Sequence, residues 1–282
     1  MAVPHRVSPH PTPPSRNRIL SALPEDEYAR LAPAFERVCM ASRELAFDVD
    51  RPIEHVYFPE DAVFSIVAVM TDGSAVETAT VGFEGMVGLP IFLGTVSTPA
   101  QAFCQVPGVA LRLDAGALQR EVARGGVLRT ILNWYTQAHL TQVAQASACN
   151  RLHTMRQRCA RWLLQLHDRV ARDEFPVTQR FLSQMLGVRR ATVTEAAQSL
   201  QQAGLITYVH GRVTVSDRRG LESVSCECYA IVRGEFERLL EGRAAPGPLD
   251  GVRVSAAGLS IAGEAVESSD AAAVSLRIEP LP

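Results

Sequence analysis

Between residues 175 and 216 the chain has little freedom in what it can become. Phe181, Leu182, Met185 and Leu186 recur at helical spacing and make one apolar face; Val193, Ala196, Ala197 and Leu200 make a second. Gly187 lies between them and can take the positive φ that a sharp turn between helices needs, while Ser183, four residues earlier, is small enough for the helices to approach closely. Alternating runs over residues 205–215 then flank His210-Gly211, the signature of a β-hairpin. Two short helices followed by a hairpin predict a winged helix-turn-helix. The alternative, an ordinary helix pair and hairpin in some other domain, leaves the agreement of the turn glycine, the small residue and the apolar positions to chance.

Charge supports a nucleic-acid partner for this stretch. The whole chain of 282 residues carries a formal net charge of only -2, yet residues 151–219 hold twelve arginines against five acids, a local excess of seven positive charges. A basic segment on a near-neutral protein is the electrostatic footprint of a DNA binder, although a solvated basic face would look the same. With 47% hydrophobic residues the chain can build one large or two modest cores. No apolar run reaches the ~18 residues of a membrane span, the N-terminus shows no signal-type hydrophobic region, and six cysteines lack a regular framework. A cytoplasmic protein is expected, with no membrane partner.

The preceding residues divide by pattern. Residues 1–16, with several prolines and no apolar period, predict a disordered lead-in, and residues 17–35 predict short helices, one opening at Leu23-Pro24 with acids in its first turn. From 37 to 113 short β-type runs dominate, clearest at 56–59, 62–70, 76–81, 102–106 and 109–113, with Asp72-Gly73-Ser74 as a hairpin turn; such spacing predicts a sandwich or barrel. Asp114 opens a short helix. A long helix is expected over 127–150, where Leu128, Ile131, Leu132, Tyr135, Ala138, Gln142, Ala146 and Cys149 share one side. Its other side is also uncharged, so it should pack on the barrel and on a second copy of itself; burial within one chain is the alternative. A further helix over 151–170 leads into the winged unit. Residues 221–242 predict a closing helix and 243–282 a loosely ordered tail, in which 252–261 is a candidate strand.

Gly187-Val-Arg-Arg-Ala-Thr-Val-Thr194, then Leu200-Gln-Gln-Ala-Gly-Leu-Ile206 and His210-Gly-Arg-Val213, resemble the DNA-binding domain of the Crp/Fnr family of bacterial transcription regulators. The resemblance implies an α+β chain: a cyclic-nucleotide-binding-type β-barrel or jelly roll over 17–126, a dimerisation helix over 127–150, and the winged helix-turn-helix over 151–220. It further implies that Arg189, Arg190, Thr192, Thr194 and Glu195 read bases, and that Thr178, Gln179, Arg180, His210 and Arg212 meet phosphates. Leu128, Ile131, Tyr135, Ala138 and Gln142 are the expected dimer contacts. The expected partners are double-stranded DNA, a second copy of the chain and RNA polymerase.

The sequence departs from the cyclic-AMP-responsive branch in several places. Ala191 replaces an acid and Glu195 an arginine in the recognition helix, so the operator does not carry over. The family's phosphate-binding cassette falls on residues 82–92, making Gly85, Met86, Val87, Gly88, Leu89, Ala100 and Gln101 the candidate ligand pocket. Leu89 stands in place of the ribose-binding glutamate, Ala100-Gln101 in place of the phosphate-binding Arg-Ser, and Val143-Ala144 in place of a Thr-Ser pair. Cyclic AMP is therefore not expected. The effector is left open: backbone N–H groups of 85–88 holding another anion, or a barrel kept only as a scaffold.

No catalytic constellation, metal-ligand spacing or Gly-rich nucleotide loop stands out, so neither an enzyme nor a metal or cofactor is expected. Cys226-Glu-Cys228 reads as two thiols pointing apart on one helix. Two other readings remain open: a signalling module whose winged helix contacts a protein, and an enzyme with a site in the barrel. Salt-dependent binding to promoter DNA separates both from a DNA-binding regulator.

Overall fold

The computed structural model describes residues 15–170 and 172–240, together with the backbone of 254–255 and 258–259. The predicted lead-in and tail fall almost wholly outside these residues. The lead-in's last two residues are described: Ser15 is buried and donates to Glu60, and the Arg16 guanidinium lies over Phe83. In the tail, Val254–Ser255 and Gly258–Leu259 pair antiparallel as a minimal hairpin.

Helices α1 (Arg18–Ser21) and α2 (Glu25–Leu31) form as expected, α1 being capped by Asn17. Seven strands follow: β1 (Glu36–Met40), β2 (Leu45–Phe47), β3 (His55–Pro59), β4 (Val63–Val69), β5 (Ala75–Val81), β6 (Ala100–Val106) and β7 (Gly108–Asp114), with the short helix α3 (Leu89–Phe92) between β5 and β6. They make two antiparallel sheets, β1-β7-β3 and β2-β6-β4-β5, rather than a closed barrel. This is a jelly-roll arrangement. Strands β1 and β2 escaped the pattern because β2 is only three residues long and β1 opens with Glu36-Arg37.

Asp114 caps α4 (Ala115–Ala123), accepting from Ala117 N. The long helix α5 (Val127–Leu152) runs two residues past its expected end, and α6 (Met155–Val170) follows after a short break. Then come β8 (Glu174–Pro176), α7 (Gln179–Met185), α8 (Arg190–Gln202), β9 (Ile206–Val209) and β10 (Arg212–Val215), with the sheet order β8-β10-β9. The single closing helix expected over 221–242 is instead two, α9 (Arg218–Val224) and α10 (Cys228–Leu240), separated at 225–227.

Two cores hold the molecule. The first fills the jelly roll and extends to Leu128, Ile131, Leu132, Tyr135 and Ala138 of α5 and to Val232, Phe236 and Leu239 of α10. The second joins Val63, Val67 and Val106 of one sheet to α6, α7, α8 and the wing. One sheet of the jelly roll thus supplies part of the core of the winged unit. Buried polar links reinforce the seam: Trp162 Nε1 donates to Glu77 at 2.7 Å, and Arg169 pairs with Glu84 at 2.8 Å.

The α5 periodicity and its packing on the strand domain were legible, and its contact with α10 was not. All eight residues predicted to share one side are buried, but within this chain. Tyr135 donates to the Met86 carbonyl at 2.9 Å and Gln142 to that of Thr80 at 3.2 Å. Leu128, Ile131, Tyr135 and Ala138, expected as dimer contacts, are buried in the first core, and Gln142, expected beside them, is buried against β5.

Candidate nucleic-acid interface

The turn between α7 and α8 is built as the sequence suggested. Thr178 caps α7 by accepting from Phe181 N at 3.1 Å, Ser183 is buried, and Gly187 has φ +64°. From below, the buried Arg158 donates to the Leu186 carbonyl at 2.7 Å and to Asn150 at 2.8 Å, fixing the turn to the end of α5. Apolar Val193, Ala196 and Leu200 anchor α8 in the second core, and Ala197 is buried as well. The wing turns at His210 (φ +48°) and Gly211 (φ +77°), the paired positive φ of a tight hairpin. Tyr208 braces it by donating to the Val177 carbonyl at 2.6 Å.

The predicted readout residues divide into two groups. Arg189, Arg190 and Glu195 are exposed at the start of α8, and neither arginine forms an ion pair among the described residues. No side chain caps this helix; Thr192 N donates to the Arg189 carbonyl at 3.1 Å, which leaves the N–H groups of Arg190 and Ala191 to meet an anion. Thr192 is half-buried. Thr194 is half-buried and its hydroxyl donates to Oε1 of the likewise half-buried Gln179 at 2.9 Å, a bond that ties α7 to α8. Of the other phosphate candidates, Thr178, Arg180 and His210 are exposed, Thr178 already serving as the cap. Arg212 is exposed but paired with Glu174, and that pair competes with a phosphate.

Residues 157–224 match the model of the Crp-like helix-turn-helix domain. Solved structures extend the likeness beyond that domain. FixK2 of Bradyrhizobium japonicum is 17% identical, with 68% of this chain and 98% of that one covered at a TM-score of 0.60. The c-di-GMP-responsive global regulator CLP of Xanthomonas campestris is 15% identical (68% and 99% covered, TM-score 0.56), and a CRP-family transcriptional regulator of Thermus thermophilus is 22% identical (67% and 96%, 0.53). The chain carries a Crp-like helix-turn-helix domain and shares the fold of these solved regulators. No curated protein matches it in sequence. In this chain a jelly roll precedes the winged unit, and α5 lies between them in sequence.

Most residues of the candidate ligand pocket are engaged in packing or hydrogen bonds within the chain. Met86, Val87 and Leu89 are buried, and Tyr57 and Val87 exchange backbone hydrogen bonds at 2.9 and 2.8 Å. Gly85 lies so close to the Tyr135 ring that a Cβ there would sit 2.6 Å from it, while Gly85 N donates to the Gly82 carbonyl. Gln101 donates to Asp48 at 2.7 Å, and Ala100 pairs with Ala68 in the sheet. The N–H groups of Gly85 and Val87, candidates for holding an anion, are thus already used.

A cavity of about 270 Å³ lies elsewhere, where Phe83 and Glu84 meet α6 and α10. Of its four arginines, 169, 218 and 233 are each paired with acids, and the Arg18 guanidinium lies over the Phe83 ring. Sequence reasoning also missed a cluster that the fold assembles: Cys149, His153, Cys226 and Cys228 come together. The break at 225–227 places Cys226 before α10 and Cys228 within it, so the two thiols converge instead of pointing apart. The helical i, i+4 spacing of Cys149 and His153 was the available signal.

Proposed function

We propose that this chain is a transcription regulator that binds a palindromic operator as a homodimer, without cyclic AMP, and acts by recognition rather than catalysis. The exposed, unpaired Arg189 and Arg190 at the uncapped start of α8 carry this reading. An arginine there can bond guanine O6 and N7 together, and a good bidentate contact contributes roughly 1–3 kcal/mol of discrimination. Arg180, exposed beside them, suits a phosphate.

The dimer surface in this proposal is the outer face of α5, not the seam facing the jelly roll. No Asp, Glu, Lys or Arg occurs between Arg129 and Arg151, and Leu140, Ala144 and Ala148 are exposed along that face. An uncharged helix face of this length is costly to leave in water, and a second copy would cover it symmetrically. Two-fold symmetry then calls for half-sites about one helical turn (~34 Å) apart. The buried Leu89 and the Gln101–Asp48 bond support independence from cyclic AMP, since neither position offers the cationic partner that a buried phosphate needs.

Binding sites selected from random DNA with the purified protein, followed by fluorescence anisotropy over a range of salt, test this. A palindromic consensus bound with a steep log–log salt slope is expected, unchanged by cyclic AMP. Equal affinity for selected and scrambled DNA would overturn the proposal, and so would tightening by micromolar cyclic AMP.

A further inference from the structure

At the junction of α5 and α10, the donor atoms of Cys149, His153, Cys226 and Cys228 all lie within 4.8 Å of one another. The three cysteines are buried and form a small cluster of their own, separate from both cores. Cys149 and His153 come from the last turn and cap of α5; Cys226 and Cys228 come from the α9–α10 break and the first residue of α10. Cys149 Sγ lies 3.5 Å from Cys226 Sγ, and Cys228 Sγ lies 3.6 Å from His153 Nδ1.

From this geometry we propose a Cys3His site for a single tetrahedral metal ion of the zinc type. Bonds of about 2.3 Å to sulfur and about 2.0 Å to nitrogen imply donor separations of roughly 3.8 Å for S–S and 3.5 Å for S–N around a tetrahedron. The observed 3.5 and 3.6 Å match these edges. An iron-sulfur cubane fits worse, because each of its ligands binds a different iron and must stand farther apart. A disulfide would use two thiols and leave the third, with the histidine, without a role.

The surroundings suit an ion. His153 turns Nδ1 to the thiols while its Nε2 lies 3.2 Å from Glu227, the carboxylate–histidine arrangement that orients a metal-binding imidazole. Cys228 opens α10, whose positive N-terminal end favours a thiolate. The four ligands come from two segments far apart in the chain, so the ion would staple the start of α10 to the end of α5. This proposal stands independently of the DNA-binding reading.

Cobalt(II) added to the fully reduced, full-length, metal-free protein tests it. Intense visible bands of tetrahedral cobalt with thiolate charge transfer are expected, saturating at one ion per chain and abolished when zinc displaces it. Cys149→Ser, Cys226→Ser and Cys228→Ser should lose these bands, whereas Cys39→Ser, at an exposed position, keeps them. Glu227→Gln, exposed and outside the ligand set, keeps the test open where a cysteine variant fails to fold; it should retain one ion per chain at about 10-fold weaker affinity or more. A reduced wild-type protein that binds neither metal overturns the proposal. Cobalt bands that survive in Cys226→Ser, or iron with acid-labile sulfide in the isolated protein, do the same.

Discussion

Arg190 and Arg212 carry the same charge in different settings. Arg190 is exposed and unpaired at the start of α8, whereas Arg212 on the wing is held by Glu174. Arg190→Ala is expected to lose discrimination at one base pair, by roughly 1–3 kcal/mol. Arg212→Ala should weaken all sequences alike and only slightly, since its ion pair must open before it meets a phosphate. Competition binding against single-base variants of the operator checks both; equal loss on operator and random DNA for Arg190→Ala would show that it does not read bases. Gly85 poses a packing question instead. A methyl group there meets the ring of the buried Tyr135, so Gly85→Ala should destabilise the fold by about 1–3 kcal/mol in urea denaturation. The exposed arginines at the start of α8 were legible because they follow a turn motif. The engagement of Thr194 by Gln179 was not, because a hydroxyl's partner across two helices leaves no trace in spacing.

At the scale of elements, α5 separates what a pattern reveals from what it conceals. A 3.6-residue period identifies which side is apolar, and all eight predicted positions are buried. It cannot say which surface covers that side. Here the cover is the jelly roll and α10; a closing helix was expected over 221–242, but neither its division at Ser225–Glu227 nor its packing on α5 was. The two faces should respond differently to charge. Ile131→Asp buries a carboxylate in the first core and should unfold the chain or cost several kcal/mol. Leu140→Asp with Ala144→Asp alters only exposed positions, so a folded monomer with weakened operator binding is expected. Sedimentation with circular dichroism distinguishes the outcomes, and a double variant that remains dimeric would place the subunit contact elsewhere.

Over the whole molecule, the jelly roll and the winged unit share buried chemistry, and that makes stability depend on pH. His139 lies on α5 with Nδ1 buried and without a hydrogen-bond partner; burial, aided by the Arg169 charge, pulls its pKa from 6.5 down to about 4. Above pH 6.5 the imidazole is neutral in both folded and unfolded chains, so it contributes no pH dependence there. As pH falls from 6.5 towards 4 the unfolded chain takes up the proton first, and stability declines across that window. Urea midpoints measured between pH 7.5 and 4.5 should fall on acidification, and His139→Gln should flatten the trend. An identical slope in the variant would assign the dependence to other groups.

The seam between jelly roll and winged unit also contains its own optical gauge. Of the two tryptophans in the chain, Trp162 is buried there, its indole N–H on Glu77 and its ring against Phe181 of α7; Trp134 is half-buried on α5. With Trp134→Phe, all indole emission comes from that one position, so the colour of the fluorescence reports whether α6 and α7 still rest on the sheet. The start of α8 is already exposed with the seam closed, so adding operator DNA should leave the emission blue. A red shift on binding would mean that the winged unit lifts away from the jelly roll when it takes hold of DNA, and an effector could be sought by the same change of colour.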